Sequence, residues 1–253
     1  MYAAERQQRI LKQARAAGRV DVAALALDLG VASETVRRDL TTLEQHGSLR
    51  RVHGGAIPVE RLEIEPTLAT RSGRLADVKR RIASHVLDHI PAGATVVLDS
   101  GSSSLAIVDL LPRDRELIVI TNSVAAANVL SSRSGVSLYL IGGRVRGVTG
   151  AAVGEWATEV LRGVVADVAI IGTNGMSVRR GLTTPDQAEA QVKRAMIDSA
   201  RRVVLAADSS KAGDDHLHRF ADLSEIDVIV TDTGLPDDVT DEMRAAGPQV
   251  VRS

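Results

Sequence analysis

Two short stretches decide the fold of the N-terminal part of the chain: Thr35-Val36-Arg37-Arg38-Asp39-Leu40 and Arg50-Arg51-Val52-His53-Gly54-Gly55. Each stretch carries a pair of arginines; the first pair lies inside a short apolar helix pattern, and a Gly-Gly turn follows the second. This arrangement is typical of a recognition helix followed by a basic wing, the two parts with which a small module grips duplex DNA.

The first stretch predicts a helix with one apolar face. Val36, Leu40 and Leu43 recur at i, i+4 and i+7, so they lie on the same side of a helix. We expect Ser33 to cap the start of this helix, and the glycine of His46-Gly47 to end it in the left-handed conformation.

Flanking patterns complete a winged helix-turn-helix. Apolar residues at 10, 11 and 14 predict one helix, those at 25, 26 and 29 predict a second, and Gly30 makes the tight turn. Segments 49–52 and 56–59 flank the Gly-Gly turn as the strands of a wing. We therefore expect a DNA-binding domain at 1–57 with its helix-turn-helix at 20–39, a linker at 58–74, and a second domain at 75–253.

The outward helix face and the wing are the predicted DNA contacts. Arginine and threonine on the helix reach base edges in the major groove, whereas wing residues meet phosphates or the minor groove. The alternative is a solvated charged face, but two arginine pairs around a helix-turn-helix favour DNA. Asp39 lies nearer the core and is expected to orient Arg37, Arg38 or a wing arginine. The predicted contacts are Ser33, Glu34, Thr35, Arg37, Arg38, Thr41, Thr42, Arg50, Arg51, His53 and Gly54.

Composition sets the outer limits. The chain has 253 residues, many more than a DNA-binding domain of about sixty residues, so a second and larger domain must follow. A hydrophobic content of 44% fits a second domain with a substantial core. The absence of cysteine excludes disulfides, thiol catalysis and zinc-finger chemistry. Without a signal peptide or a membrane-length apolar run, we expect a cytoplasmic protein with no membrane contact. A net charge of −1 still allows a locally basic DNA-binding face, and 2% aromatic residues argue against single-stranded nucleic acid.

The second domain alternates strand and helix patterns. Apolar runs at 95–98, 117–120, 138–141, 168–171, 203–207 and 228–230 predict strands, and helical patterns at 105–111, 124–130 and 186–200 separate several of them. This alternation predicts an α/β fold with a mostly parallel sheet covered on both faces. Thr184 is expected to cap the helix that begins after Pro185, and Asp186, Gln187 and Lys193 are secondary candidates for ligand contact.

Polar or glycine-rich loops follow all six predicted strands. In open α/β sheets the carboxyl ends of the strands share one rim, and ligands bind there. The serine-rich loop runs straight into a helix, whose free amides favour an anion such as phosphate, and Arg144 and Lys211 add positive charge. We predict a phosphorylated small ligand, no cofactor and no metal; Asp214-Asp215-His216 and His218 are expected in an exposed loop. The predicted ligand contacts are Asp99, Ser100, Gly101, Ser102, Ser103, Ser104, Thr121, Asn122, Gly143, Arg144, Asn174, Asp208 and Lys211.

The chain resembles the DeoR family of bacterial repressors. The resemblance rests on residues 5–8, the stretch 35–40, Arg51-Val52-His53-Gly54-Gly55 and the rim loops, and so covers nearly the whole chain. It implies a sensor domain similar to ribose-5-phosphate isomerase and CoA-transferase folds, which binds a phosphorylated sugar that releases the repressor from operator DNA. Residues 172–175 and 181–189 look like those of fructose-operon repressors of actinobacteria, which suggests fructose 1-phosphate or a related compound. We expect a homodimer or homotetramer.

Two features depart from the family pattern. The usual Gly-Thr-Thr-Thr is Gly101-Ser102-Ser103-Ser104 here, and Ala32 stands where a Ser or Thr commonly caps the recognition helix. An enzymatic alternative remains, a sugar-phosphate isomerase with a DNA-binding head, for which Asp99, Asp208 and Glu189 are the candidate bases. A helix-turn-helix used only for protein contact is a third possibility, which the four arginines disfavour.

Overall fold

The structure is a computed structural model that describes residues 3–45, 48–52, 54–58, 65–113 and 115–253. The chain divides into two compact units, one up to Glu65 and one from Pro66 to Ser253. The predicted helix end at His46-Gly47 and the wing contact at His53 lie outside the described residues.

The first unit is the winged helix-turn-helix that the sequence predicts. Strands β1, β3 and β2 form an antiparallel sheet in that order beside three helices. The elements are α1 (Ala3–Ala17), β1 (Val20–Asp21), α2 (Val22–Leu29), α3 (Ser33–Gln45), β2 (Leu49–Val52) and β3 (Gly55–Pro58).

Local signals explain most boundaries of this unit. Asp21 caps α2, its carboxylate accepting from the amides of Ala23 and Ala24, and Gly30 ends α2 at φ 64°. The expected cap of α3 is wrong by one residue. The amide of Val36 donates to the carbonyl of Ala32, so Ala32 holds the capping position and Ser33 is the first helical residue.

The core of the first unit lies between the three helices and the wing. The predicted apolar face of α3 is buried together with Ile10, Leu25 and Leu49. Gly55 lets β1 approach the wing, because a Cβ at this position would lie 1.9 Å from the carbonyl oxygen of Val20.

The second unit is the predicted α/β domain. Its main sheet has seven parallel strands, ordered β15-β14-β12-β9-β4-β5-β6. These are β4 (Thr95–Leu98), β5 (Leu117–Thr121), β6 (Val136–Leu140), β9 (Ala166–Ile171), β12 (Ala200–Ala206), β14 (Val228–Thr231) and β15 (Gln249–Arg252). The helices are α4 (Leu68–Gly73), α5 (Ala76–Leu87), α6 (Ser102–Leu110), α7 (Val124–Leu130), α8 (Glu155–Arg162), α9 (Gln187–Asp198) and α10 (Asp237–Ala245).

All six strands predicted from apolar runs belong to this sheet. The additional strand β15 forms one edge, and helix α4 lies within the stretch expected to be a linker. Two small antiparallel sheets were also not predicted. They are formed by β7 (Arg144–Arg146) with β8 (Ala151–Val153), and by β10 (Gly175–Ser177), β11 (Gly181–Thr184) and β13 (His218–Ala221).

The strand order reverses between β4 and β9. From β4 the chain proceeds through β5 and β6 on one side, and from β9 through β12, β14 and β15 on the other. Separate apolar clusters cover the two faces of the sheet. A crevice at the carboxyl ends of the strands, at the point of reversal, is the usual ligand site of such folds. Within the described ranges, no helix is long and apolar enough to cross a bilayer.

Candidate DNA-binding surface and ligand site

The outward face of α3 carries the predicted DNA contacts. Arg37 and Arg38 are exposed, and Thr41 and Thr42 are half-buried. Each threonine hydroxyl donates to the carbonyl four residues earlier, Thr41 at 2.9 Å and Thr42 at 3.1 Å. Arg37 forms an exposed ion pair with Glu34 at 3.2 Å, so a DNA phosphate or base would compete with that carboxylate.

The wing strand β2 joins the recognition helix through Arg51. Its Nη1 donates to Thr41 Oγ1 at 3.2 Å, and its backbone amide donates to Glu44 Oε1 at 2.9 Å. Arg50 is half-buried, and consecutive residues of a strand point to opposite faces. The two wing arginines therefore point to opposite faces of β2, and their contacts with DNA stay predictions.

Asp39 does not orient the DNA-facing arginines. It is 4% exposed and pairs with Arg6 of α1, whose Nη2 lies 3.2 Å from Oδ1, while Gln7 Nε2 donates to the same oxygen at 3.0 Å. This contact raises the pKa of Arg6. Asp39 therefore ties α3 to α1. The sequence contained the arginine but offered no signal for a pairing across 33 residues.

At the point of strand reversal, Asp99 and Lys193 form a buried ion pair. Asp99 directly follows β4, and Lys193 reaches it from α9; the residues are 1% and 4% exposed. Lys193 also donates to the carbonyl of Gly172 at 3.0 Å, and the amide of Gly172 donates to Asp99 at 3.0 Å. The pair thus links the loops after β4 and β9, which flank the crevice.

The serine-rich loop leads into α6 beside this pair. Gly101 precedes the helix at φ 135° and gives α6 no side-chain cap, so the first amides of α6 remain available to an anion. Ser102 and Ser103 are half-buried, and Ser104 is buried. Open space surrounds the position where a Cβ of Gly101 would lie.

The loop after β5 contributes a buried polar group with an unused acceptor. Asn122 Nδ2 donates to the carbonyl of Ala152 at 3.2 Å, but its Oδ1 has no hydrogen-bond partner although it is buried. Thr121 donates to the carbonyl of Leu98 and accepts from the amide of Ser123, so it shapes the loop. A ligand hydroxyl that donates to Asn122 Oδ1 would remove an unfavourable feature of the crevice.

Helix α5 contributes a buried cation, Lys79, that the sequence did not predict. Asp208 is buried and accepts from the amide and hydroxyl of Ser210. Lys79 of α5 is 5% exposed and donates to the carbonyl of Arg71 at 2.7 Å. Burial lowers the pKa of Lys79, the charge of Asp208 opposes this effect, and the charge of half-buried Lys211 adds to it.

Several predicted contacts hold the fold or face solvent. Gly143 packs against β8, since a Cβ there would lie 2.7 Å from the carbonyl oxygen of Val153. Arg144 is exposed at the start of β7. Asn174 is half-buried and accepts from Thr184 at 3.0 Å, and buried Ser100 donates its amide to Asp99 at 2.8 Å.

A second charged group lies on α9 one turn before Lys193. Glu189 is 4% exposed and accepts from Arg146 and Thr149, each at 2.6 Å. Asp186 pairs with Arg146 at 3.2 Å and caps α9 by accepting from the amide of Glu189. The expected cap at Thr184 is therefore wrong, because that residue belongs to β11.

The acidic and histidine-rich loop is occupied by structural contacts. Asp215 accepts from Ser177 at 2.7 Å, and the amide of His216 donates to Thr183 at 2.9 Å. Contrary to the expected exposed loop, His216 is half-buried and His218 begins β13. The described part of the chain holds no group of three or more residues suited to a metal ion.

Two family models match the chain. The model of the DeoR-like helix-turn-helix domain matches residues 6–61, and that of the DeoR C-terminal sensor domain matches residues 75–233. The chain belongs to the DeoR family. One curated relative is the HTH-type transcriptional regulator GlpR of Haloferax volcanii, 36% identical over 99% of this chain and 98% of that protein.

Other relatives carry regulatory names as well. The putative aga operon transcriptional repressor of Escherichia coli O157:H7 is 32% identical over 98% of this chain and 93% of its own length. The HTH-type transcriptional repressor GlcR of Bacillus subtilis is 34% identical over 92% and 89%. The DeoR-family chain is therefore a DNA-binding transcriptional regulator, and the isomerase considered from the sequence is rejected.

Solved structures are similar to parts of the chain. Ribose 5-phosphate isomerase A of Methanocaldococcus jannaschii is 16% identical, with a TM-score of 0.41 over 55% of each chain. A probable sor operon regulator from Shigella flexneri is 12% identical, with a TM-score of 0.44 over 66% of this chain and 88% of its own.

Proposed function

We propose that this regulator represses a sugar-utilisation operon and leaves its operator when a phosphorylated sugar binds the second unit. The observation that carries the proposal is the pairing of an arginine-bearing recognition helix with an anion-ready crevice in one chain. In the crevice, the uncapped amides of α6 lie beside the buried Asp99–Lys193 pair.

On DNA, we assign base readout to Arg38 and anchoring to Arg51. Arg38 is exposed on the outward face of α3, whereas Arg51 lies at the junction of wing and helix. Arg38→Ala should relax base preference at a cost of about 1–3 kcal/mol. Arg51→Ala should weaken all sequences alike and lower the salt slope by about one. Fluorescence anisotropy on matched and mismatched duplexes distinguishes the two; a uniform loss in both variants would mean that α3 does not read bases.

In the crevice, we assign the phosphate to the amides of Ser102 and Ser103 and to Lys211. Thermal-shift measurements on the full chain with sugar phosphates, fructose 1-phosphate included, should show stabilisation by at least one of them and by none of the unphosphorylated sugars. Lys211→Ala should lose this stabilisation but keep DNA affinity. Arg162→Ala, an exposed cation of α8, is the matched control and should keep both. Loss of DNA binding in Lys211→Ala would indicate a folding role instead.

The names of the relatives do not point to a single sugar ligand. Relatives are named for different regulons, among them the aga operon and, in Escherichia coli K12, glycerol 3-phosphate. Fructose 1-phosphate is our first candidate because residues 172–175 and 181–189 resemble fructose-operon repressors. A panel in which another phosphorylated sugar stabilises the chain more strongly would replace fructose without affecting the proposed mechanism.

Release requires that the ligand prefers one arrangement of a homo-oligomer. Two recognition helices about 34–36 Å apart match successive major grooves on one face of DNA. A ligand can shift this equilibrium only by its differential affinity for the two arrangements, which in typical cases is about 1–3 kcal/mol. We therefore expect saturating ligand to weaken operator binding by roughly 5- to 150-fold.

A further inference from the structure

Strand β6 is the terminal strand on its side of the seven-stranded sheet. Its sequence, Val136-Ser137-Leu138-Tyr139-Leu140, contains neither a charged residue nor proline. Proteins usually protect exposed strand edges with such residues, because an unprotected edge pairs with another strand. This edge therefore has the composition of one that is covered by a partner.

The backbone of β6 presents alternate residues to that edge. The amide of Leu117 donates to the carbonyl of Gly135 at 3.0 Å, and the amide of Ile141 donates to that of Thr121 at 2.8 Å. In a parallel pair the residues between these two points alternate, so 137 and 139 also bond to β5. Leu138 and Leu140 consequently direct their amides and carbonyls away from the sheet.

Exposed apolar side chains flank the edge on both faces. Tyr139 is 59% exposed and lies on the same face as Ile118 of β5, which is 39% exposed. Leu140 is 53% exposed and lies on the opposite face, which it shares with Leu138. A strand added to this edge would cover side chains on both faces as well as the backbone.

We propose that the occupant is a second copy of this chain, whose β6 pairs with the first in antiparallel orientation about a twofold axis at Leu138. Leu138 then faces its own equivalent, Ser137 lies opposite Tyr139, and Val136 lies opposite Leu140. Each pair sets a small side chain against a large one or joins two aliphatic ones, so the strand is complementary to itself.

The hydrogen bonds of this register also fit the strand. The two Leu138 residues exchange two bonds, and each Leu140 amide donates to the partner's Val136 carbonyl. The amide of Val136 would face the partner's Leu140 carbonyl in this register, but it already donates to the carbonyl of Arg133 at 3.2 Å. The ladder therefore consists of the two bonds between the Leu138 residues and one bond from each Leu140 amide. A twofold pair of sensor domains also supplies the two DNA-binding domains that the proposed function requires, but the contact itself depends on β6 alone.

Single cysteines test the register, because the chain has no native cysteine. In the proposed dimer the Cα atoms of two Leu138→Cys residues lie about 5.5 Å apart, within disulfide range. Those of Leu140→Cys are separated by roughly four strand residues, about 13 Å, beyond that range. Under mild oxidation without DNA or sugar, Leu138→Cys should form covalent dimers and Leu140→Cys should not.

Light scattering measures the mass of the assembly in solution and tests the same surface without cross-linking. The wild-type chain should be at least dimeric at micromolar concentration, and Tyr139→Lys should halve its mass while far-ultraviolet circular dichroism stays unchanged. Trp156→Lys, which alters a 78% exposed apolar residue on α8, is the matched control and should keep the wild-type mass. A monomeric wild type, dissociation by Trp156→Lys but not by Tyr139→Lys, or equal cross-linking of the two cysteine variants would overturn the proposal. None of these results depends on whether the chain binds a sugar phosphate.

Discussion

The contact between Asp39 and Arg6 predicts a large and local loss of stability in Asp39→Asn. The side chains are 5% and 12% exposed, so removing the carboxylate charge leaves a largely buried guanidinium without its counter-ion. Breaking such a pair on one side costs about 3–5 kcal/mol, and the remaining exposure of Arg6 favours the lower end, about 3 kcal/mol. For a DNA-binding domain of this size, a loss of about 3 kcal/mol corresponds to a fall in melting temperature of roughly 12–24 °C.

Hydrogen exchange on the full chain measures the loss of stability in the first unit separately from the second. Amides of α1 and α3 should lose about 3 kcal/mol of protection, while those of β4 and β9 in the second unit stay unchanged. Asp28→Asn is the matched control, because the Asp28–Arg9 pair is 3.4 Å apart and about half exposed. Its removal should cost less than about 1 kcal/mol.

Two outcomes would contradict a stabilising Asp39–Arg6 contact. Equal losses in Asp39→Asn and Asp28→Asn would show that burial does not strengthen the Asp39 contact. Unchanged protection with weakened DNA binding would restore the expectation drawn from the sequence, in which Asp39 orients Arg37 or Arg38.

Three further predictions concern other contacts. Gly55→Ala should push β1 away from the wing, because the added Cβ would clash with the backbone of Val20. The free energy of unfolding in urea should fall by about 1–3 kcal/mol, as is typical of overpacking, and anisotropy should show weaker DNA binding. Lys193→Met should lower the stability of the second unit by about 3 kcal/mol in urea, and adding Asp99→Asn should recover part of that loss, because the first change strands a buried carboxylate. A backbone hydrogen bond from Asp222 lowers the pKa of Glu225. Glu225 should therefore stabilise the fold above its unfolded pKa of about 4.3, and this contribution should fade as the pH falls towards the lower folded value. Glu225→Gln should remove that dependence in unfolding curves at pH 3–7.

Periodicity and local chemistry predicted most of the fold. Parallel strands buried on both faces are continuous apolar runs, and for that reason all six predicted strands belong to the sheet. Strand β15 was missed because it lies at an edge and begins and ends with exposed polar residues, Gln249 and Arg252. The three-residue strands of the β7–β8 hairpin are too short to show a period.

Contacts between distant residues could not be predicted in the same way. The sequence marks Asp39 as near the core but not which helix supplies its partner, and it gives no sign that Lys193 reaches Asp99, 94 residues away. Lys79 was missed because a lysine within a helical pattern is ordinarily exposed. The ligand assignments of the rim loops stay predictions, whereas their common location follows from the parallel sheet.

The decisive measurement is the affinity of the chain for operator DNA with and without phosphorylated sugars. A duplex selected in vitro from a random pool supplies the target, and anisotropy gives Kd for the full chain. One phosphorylated sugar should raise Kd by roughly 5- to 150-fold, its unphosphorylated form should leave Kd unchanged, and Lys211→Ala should abolish the effect. The same Kd with every phosphorylated sugar would contradict the proposed release by a phosphorylated sugar.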